Sequence, residues 1–395
     1  MERFHAASEA DILAGRTTDI YFERAKEILQ KEGKDREPVV AEFTAGGLPQ
    51  GWEWGVFCGL DEVVNLMEGR SVDLYALPEG TIFNPRSHNG VRVPVMVLEG
   101  PYGEFCVYET PLLGLICQAT AIASKASRVR KAARDKEVIS FGIRRMHPAM
   151  SPMIDRAAFI GGLDAVSSLT GADAIGRPPS GTMPHALTIV LGSPEAAFKA
   201  FDAHTAKEVR RITLVDTYSD EVAESLMACQ AVPNLYGVRL DTPSSRKGNF
   251  AEIVRQVRWE LDVRGYKDVK IFVSGGLDEN SIRELAAAGA DGFGVGTSIS
   301  NAPTVNFSMD LVEVAGRPAA KRGKYSGRKE VFRCKEDLTY AVGLEAPHCP
   351  VCGGDMSSML AQYIKHGKRT RELPGPDRIR EYVLQQLDRA SFSSS

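Results

Sequence analysis

Between Val269 and Pro303 the apolar positions fall into two short runs, Val269–Ser274 and Asp291–Val295, each closing on glycines. Runs this short, apolar throughout and bounded by glycine, predict buried strands. Gly275-Gly276 ends the first, and Gly294-Val295-Gly296-Thr297 ends the second. Between them Asp278 is placed to cap a helix over Ser281–Ala288, which Gly289 stops. Strand, glycine loop and helix therefore follow one another in tandem, turning two sets of backbone N–H groups toward one end of a parallel sheet. Glycine lets the backbone approach a phosphate closely, and a helix N-terminus favours its charge. The last two loops of a βα barrel are the usual phosphate cradle. A phosphorylated small molecule is the expected ligand.

The same rhythm runs upstream. Val138–Ile143 reads as a strand ending in Arg144-Arg145-Met146-His147-Pro148, and Pro152–Leu169 as a helix packed closely at Gly161-Gly162. Gly181-Thr182-Met183-Pro184-His185 reads as a loop before an apolar strand. Ile212–Val215 ends at Asp216; Tyr236–Leu240 carries Arg239 and ends at Asp241. Strands closing on charged residues or glycines, separated by helices, predict a βα barrel with its site at the C-terminal strand ends. A doubly wound open sheet alternates in the same way but does not account for paired phosphate loops in the last two units.

Residues 1–111 are different. Pro38–Phe43, Val72–Ala76, Val93–Leu98 and Glu104–Tyr108 read as irregularly spaced strands, with helices over Glu9–Leu29 and Asp61–Glu68. That pattern predicts an N-terminal α/β sandwich. Leu112–Arg134 reads as one amphipathic helix opening the barrel domain (112–303), with Lys125, Arg128, Arg130, Lys131 and Arg134 as a solvated face. A basic hairpin, Met309–Val314 with Ala320–Arg328, is expected to return to the sandwich within 304–330. Residues 331–395 form a tail with a basic helix, and Ser391–Ser395 is expected to be disordered.

With 395 residues, 43% hydrophobic and 25% charged, the chain is long enough for two or three globular domains. A net charge of −3 makes no global electrostatic case for nucleic acid or a membrane surface. The acidic, histidine-containing start does not read as a signal peptide, and no apolar run reaches spanning length. Four of the seven cysteines stand singly and three cluster late, which points to a reducing cytoplasm and a metal site over a disulfide scaffold.

That cluster is Cys349-Pro-Val-Cys352 followed by two glycines, with Cys334 upstream at ribbon-like spacing. Zinc in a closed structural site takes four ligands. Asp337 or His348 would complete three thiolates; a knuckle holding no metal is the alternative. Asp216 and Asp241 close neighbouring barrel strands, where carboxylates hold Mg²⁺ through its waters, accept ribose hydroxyls or oppose developing positive charge. Asp241 before Thr242-Pro243 also fits a helix cap. Arg144, Arg145, His147, Arg239, Arg246, Lys247, Lys321 and Lys324 supply more cations than one monophosphate needs, which suits a diphosphate. A lone histidine such as His185 is more often structural than catalytic.

Six stretches in this order carry a resemblance: Ser140-Phe-Gly-Ile-Arg-Arg-Met-His-Pro148, Gly181-Thr-Met-Pro-His185, Leu214-Val-Asp-Thr-Tyr218, Arg239-Leu-Asp-Thr-Pro-Ser244, Ser274-Gly-Gly-Leu-Asp-Glu-Asn280 and Phe293-Gly-Val-Gly-Thr297. Together they resemble nicotinate phosphoribosyltransferases of the shorter archaeal type with a zinc-knuckle tail, over essentially the whole chain. The resemblance implies an N-terminal α/β sandwich and an irregular (β/α) barrel of seven to eight strands, the type II phosphoribosyltransferase fold. It also implies a cytoplasmic homo-oligomer assembled head to tail, with active sites at subunit interfaces. The implied reaction moves phosphoribose from 5-phosphoribosyl-1-diphosphate (PRPP) to nicotinate with Mg²⁺, in NAD salvage, coupled to ATP.

By the same resemblance Phe141 and a neighbouring subunit's Tyr21 sandwich the pyridine, Arg144 orients the carboxylate, and Asp164 lies nearby. Asp241 and Arg239 hold the ribose hydroxyls, with Asp216 beside them. Gly275, Gly276, Gly296 and Thr297 cradle the 5′-phosphate, and Lys321, Lys324 and Arg246 meet the diphosphate. His185 is the phosphorylated histidine, although Met183-Pro184 precedes it where many relatives carry alanine. Structural Zn²⁺ would bind Cys334, Cys349 and Cys352, with Asp337 where the family has cysteine. A quinolinate or nicotinamide phosphoribosyltransferase is the nearest alternative. A zinc-ribbon nucleic-acid binder is the alternative from another class, against which the charge and the lack of interleaved aromatics argue.

Overall fold

The computed structural model describes residues 3–389; the serine-rich end Ser391–Ser395 lies outside them. The chain divides into two compact units, Lys125–Asn301 and a second made of Met1–Ser124 with Ala302–Ser395.

In Lys125–Asn301 the strands are β1 (Glu137–Ser140), β2 (Ala165–Val166), β3 (Ile212–Leu214), β4 (Gly237–Leu240), β5 (Lys270–Ser274) and β6 (Gly292–Val295). They form one parallel sheet in the order β2-β1-β6-β5-β4-β3. Six strands pair, where the resemblance implied seven to eight, and the edges β2 and β3 are not joined. The chain between those edges is spent on helices Leu169–Ile175, His185–Leu191 and Pro194–His204. Burial is what makes these strands: β6 and most of β5 are inaccessible on both faces, so their apolar runs are continuous, not alternating. The helices bury one stripe each. Phe250–Val263 places Phe250, Val254, Val257 and Leu261 inside, each contributing about 1.5–3 kcal/mol. A charge at Val257 would break that face.

Five of this unit's helices start at side-chain caps, on Ser168, Ser193, Asp220, Asn249 and Asp278. Asp278 accepts from Asn280 N–H at 3.1 Å and Ser281 N–H at 2.9 Å, fixing Glu279–Ala287 immediately behind the Gly275-Gly276 loop. Elsewhere this unit departs from the sequence reading. The helix expected over Pro152–Leu169 stops at Ile160, and Ala165–Val166 is strand β2. His185 begins a helix, not a strand, entered through Pro184 and closed by Gly192. The long helix runs Glu109–Ala133, but its basic end is no solvated face. Arg128 and Arg130 are buried. Lys125 binds Glu279 at 2.5 Å, and Arg130 binds Asp164 at 2.5 Å together with the Arg134 and Lys136 carbonyls.

The other unit holds a seven-stranded antiparallel sheet: Arg317–Pro318, Phe307–Val314, Pro38–Ala45, Pro94–Pro101, Asp73–Ala76, Ala361–Lys365 and Lys368–Arg369, in that order. A separate three-stranded sheet, Tyr340–Gly343, Glu330–Cys334 and Met356–Ser358, carries the cysteine cluster. The expected strand Glu104–Tyr108 is helical instead. Ala320–Arg328 forms no strand, because the chain turns at Lys321–Lys324 and again at Gly327. The expected helix over Glu9–Leu29 is two, Glu9–Leu13 and Ile20–Lys31, broken at Gly15. Apolar enough by composition to span a membrane, Tyr102–Ala133 is a core helix that buries Leu112, Ile116, Ile122 and Val129.

Candidate active site

A cavity of about 660 Å³ opens at the C-terminal ends of β1–β6, a size that suits a small ligand. Its walls all come from Lys125–Asn301. Leaving β1, Phe141 keeps the pairing by donating to the Val295 carbonyl at 2.8 Å, and a 3₁₀ turn then presents Arg144 and Arg145. Phe141 lies over β6, where Gly294 leaves room for the ring: a methyl there would sit 2.2 Å from Cε2. The Arg239 guanidinium stands 5.5 Å from the ring centroid, and its Nη2 donates to the Met183 carbonyl.

The glycine loops complete the wall, the second of them beside Phe141, whose carbonyl oxygen a methyl at Gly296 would meet at 3.1 Å. Gly275 and Gly276 line the cavity with φ of 95° and 70°, a backbone that a side chain rarely tolerates, so this loop takes its path only as glycine. Lys247 Nζ donates to the Gly275 carbonyl at 2.6 Å, and Ser298 Oγ donates to the Leu277 carbonyl at 2.7 Å, tying the first loop to the second. Gly296 and Thr297 open the helix Thr297–Ser300 and also line the cavity.

The carboxylates and the histidine complete the site. Asp241 accepts from Ser274 Oγ at 2.9 Å and is partly exposed to the cavity. Asp216 is buried, with φ of 70°, a left-handed conformation costing about 1–2 kcal/mol for a residue with a Cβ. Its Oδ2 accepts from the Asp241 N–H at 2.8 Å and lies 3.0 Å from Thr242 Oγ1. That hydroxyl also lies 2.6 Å from Glu221 Oε1, and its single proton cannot serve both carboxyls. Burial pushes the Asp216 carboxyl up to about 7, against its hydrogen bonds, so it holds a proton near neutrality. Asp216 Oδ1 is buried without a hydrogen-bond partner and faces His185 Nε2 at 3.7 Å; Asp241 Oδ2 is 3.9 Å from the same nitrogen. Burial lowers the His185 pKa, opposed by Asp241, and so favours the neutral ring. Burial also lowers the Arg239 pKa, with Asp241 and Asp216 opposing.

The family model described as the C-terminal domain of quinolinate phosphoribosyl transferase matches residues 122–310, and that of its N-terminal domain matches 19–120. A nicotinate phosphoribosyltransferase of Mycobacterium tuberculosis is 34% identical over 332 residues, 80% of this chain and 68% of the relative. The chain belongs to the nicotinate phosphoribosyltransferase family. A Bacillus subtilis nicotinate phosphoribosyltransferase is 29% identical over 80% of the chain and 72% of its own length. Among solved structures, a nicotinate-nucleotide pyrophosphorylase from Pyrococcus furiosus superposes with TM-score 0.94 at 51% identity, over 98% of this chain and 99% of that one. A human nicotinic acid phosphoribosyltransferase shares the fold, with TM-score 0.76 at 20% identity over 95% and 94%.

Within this family frame, Phe141, Arg144, Arg239, Asp241, His185, Gly275, Gly276, Gly296 and Thr297 line one cavity, with Asp216 behind them. Asp164 does not join them. It lies at the N-terminal end of the strands, accepting from Arg130 and from the Val138 N–H at 2.8 Å, and so serves the sheet's far end. Arg246 is exposed on the loop after β4. Tyr21, Lys321 and Lys324 belong to the other unit: Tyr21 is exposed beside Asp19, and both lysines bind the buried Asp310. Sequence reasoning missed Ser167 in the cavity wall because β2, which delivers it, was read as helix.

In the three-stranded sheet, Cys334, Asp337, Cys349 and Cys352 bring their ligand atoms within 4.8 Å of one another, a set able to hold a metal ion. Cys334 and Cys352 sulfurs are 3.5 Å apart, and Cys349 Sγ is 3.3 Å from Asp337 Oδ2; tetrahedral zinc would set sulfurs about 3.8 Å apart. His348 is not in the set. It is exposed and faces Asp355 at 3.5 Å.

Proposed function

We propose that this chain is a nicotinate phosphoribosyltransferase, forming nicotinate mononucleotide and diphosphate from nicotinate and PRPP in NAD salvage. The observation that carries the reading is the cavity itself: two glycine loops on adjacent strands line it together with an aromatic ring and arginines. Phe141 stacks on the pyridine and Arg144 pairs with its carboxylate. Asp241, with Arg239, binds the ribose hydroxyls, and the glycine loops bind the 5′-phosphate. The bond from C1 to the diphosphate oxygen breaks with its electron pair leaving on oxygen, and the pyridine nitrogen supplies the pair for the new C1–N bond. That nitrogen carries no proton at neutral pH, so no general base is needed. Asp241 opposes the positive charge growing on the ribose, and fixed charge and orientation supply most of the rate.

Lys321, Lys324 and Arg246 are assigned to the diphosphate, and Tyr21 to the pyridine of a neighbouring subunit in a head-to-tail assembly. Mg²⁺, when bound, neutralises the departing diphosphate. His185 is assigned as the phosphoryl acceptor. Its neutral Nε2 attacks the γ-phosphorus of ATP, forming N–P as the P–O bond to ADP breaks. Burial that favours the neutral ring, and the absence of a direct hydrogen bond to Nε2 among the described residues, support this assignment. Zn²⁺ held by the three cysteines and Asp337 is assigned a structural role, and the free cysteines suit the cytoplasm.

The test is product formation from PRPP and Mg²⁺ with nicotinate, nicotinamide or quinolinate, with and without ATP, for wild type and His185→Ala. Nicotinate alone should be consumed, with ATP stimulation lost in the variant. Consumption of quinolinate with release of CO₂ would overturn the substrate assignment and leave the fold reading in place.

A further inference from the structure

Two residues after β3, Thr217 in the loop and Glu224 in the helix behind it, have no role so far. At Asp216 the left-handed turn swings the chain so that Thr217 Oγ1 lies 3.0 Å from Nδ1 of His185. Nε2, across the ring, is the nitrogen facing Asp216 and Asp241. Thr217 is itself held from behind. Glu224, completely buried in the helix Glu221–Ala231, accepts the N–H groups of Thr217 at 3.0 Å, Tyr218 at 2.7 Å and Ser219 at 2.8 Å. Three consecutive amides converging on one buried carboxylate make this loop stiff, because opening it would strand a charge away from water.

We propose that Thr217, fixed in place by Glu224, is the positioning residue for His185: it holds the ring by Nδ1, keeps Nε2 on the cavity side, and allows either nitrogen to carry the proton. The proposal rests on the reading of His185 as a phosphoryl acceptor for its purpose, but not for its geometry. A hydroxyl is the partner such a ring needs. It rotates, donating to a bare Nδ1 or accepting from Nδ1–H, whereas a carboxylate or carbonyl in its place would accept only and lock the proton on Nδ1. With the proton on Nε2, the ring points it at the two aspartates. With the proton on Nδ1, Thr217 accepts it and the Nε2 lone pair is free to attack. The charged groups around the ring are Asp216, Asp241, Arg239 and Glu224. Only Thr217 hydrogen-bonds the ring among the described contacts.

The experiment uses the full chain with ¹⁵N-labelled histidine, wild type, Thr217→Val, Thr217→Ser and Glu224→Gln, and reads the His185 tautomer ratio from ring ¹⁵N shifts at a pH where the ring is neutral. In parallel, the rate of acid-labile phosphate incorporation from [γ-³²P]ATP is measured. Thr217→Val strips a partner from both tautomers, but it orphans the Nδ1–H donor while Nε2–H still faces the two aspartates, so the ratio should move toward the Nε2–H form by about two- to fivefold, and labelling should slow at least as much. Thr217→Ser should restore both, and Glu224→Gln should move both in the direction of Thr217→Val. An unchanged ratio in Thr217→Val, or a failure of serine to restore it, overturns the proposal; the Thr217 pair decides this even if Glu224→Gln does not fold. Should wild type show the tautomer response yet take up no phosphate, the positioning role stands and the phosphoryl-acceptor reading falls.

Discussion

Gly294→Ala is the most informative single change in the cavity, because the structure fixes both what it strikes and how hard. The added methyl would lie 2.2 Å from Phe141 Cε2 and 2.4 Å from Cδ2, far inside contact distance, and 3.2 Å from Ser274 Cβ. Residue 294 is in extended strand backbone with no left-handed φ, so alanine costs the chain nothing there. Phe141 is only partly buried, so its ring can swing into the cavity. Relief by ring movement should keep the stability loss near the low end of the 1–3 kcal/mol seen for overpacking. What is lost is the stacking position. A stacked aromatic pair is worth about 0.5–1.5 kcal/mol, so the KM for nicotinate should rise roughly 2- to 12-fold. The KM for PRPP should change much less, since the Gly275-Gly276 backbone stays in place. The assay is steady-state mononucleotide formation with each substrate varied, beside a thermal melt. In a double-mutant cycle, Gly294→Ala should add almost nothing to Phe141→Ala, because the methyl acts through the ring. A folded Gly294→Ala enzyme with unchanged nicotinate KM, or additive losses in the cycle, would refute this account of the wall.

Three further outcomes follow from the geometry. Asp216 is buried with its pKa raised to about 7 from 3.8; the folded protein keeps a proton the unfolded chain has lost, so stability falls as pH rises from about 4 to 7. The linked loss is on the order of 4 kcal/mol, and Asp216→Asn, which tolerates the same backbone conformation, should flatten that part of the Tm–pH curve while lowering kcat. Asp164→Ala should cost about 3 kcal/mol in a urea melt by leaving the buried Arg130 short of its anion, with both KM values unchanged; a selective rise in nicotinate KM would return Asp164 to the site. Chelation should release about one zinc per chain and lower Tm, with kcat per folded molecule preserved, and protein that carries no zinc as purified from zinc-supplemented medium would count against the four-ligand set.

The glycine loops were legible because their signal is local: apolar runs that end on glycine with a capping aspartate behind them need no tertiary information. His185-Ala-Leu-Thr-Ile-Val-Leu191 was not, since a short β-branched run satisfies strand statistics equally well. The helix wins there because Pro184 and Gly192 fix its ends, and Ile189 and Val190 stay exposed where a barrel strand would have buried them. Buried cations on the long helix escaped for another reason. Periodicity sees the helix's own residues, whereas the partners that neutralise Lys125 and Arg130, Glu279 and Asp164, lie 154 and 34 residues further along. The choice of Asp337 over His348 depends on where the turn after Glu330–Cys334 points, and spacing alone leaves both within reach.

The sheet order carries a consequence for synthesis. Pro38–Ala45 is a central strand, yet one of its two hydrogen-bonded neighbours is Phe307–Val314, which the ribosome delivers roughly 270 residues later. At about 5–20 residues per second, the nascent chain waits roughly 15–50 s with that edge bare. Meanwhile the whole of Lys125–Asn301 emerges and has time to fold. A bare edge of seven buried positions is a ready template for a second nascent chain. Chaperone demand and polysome crowding should therefore limit the yield of this protein more than its finished stability does, and a stop codon placed before Phe307 should give aggregates, not a smaller soluble enzyme.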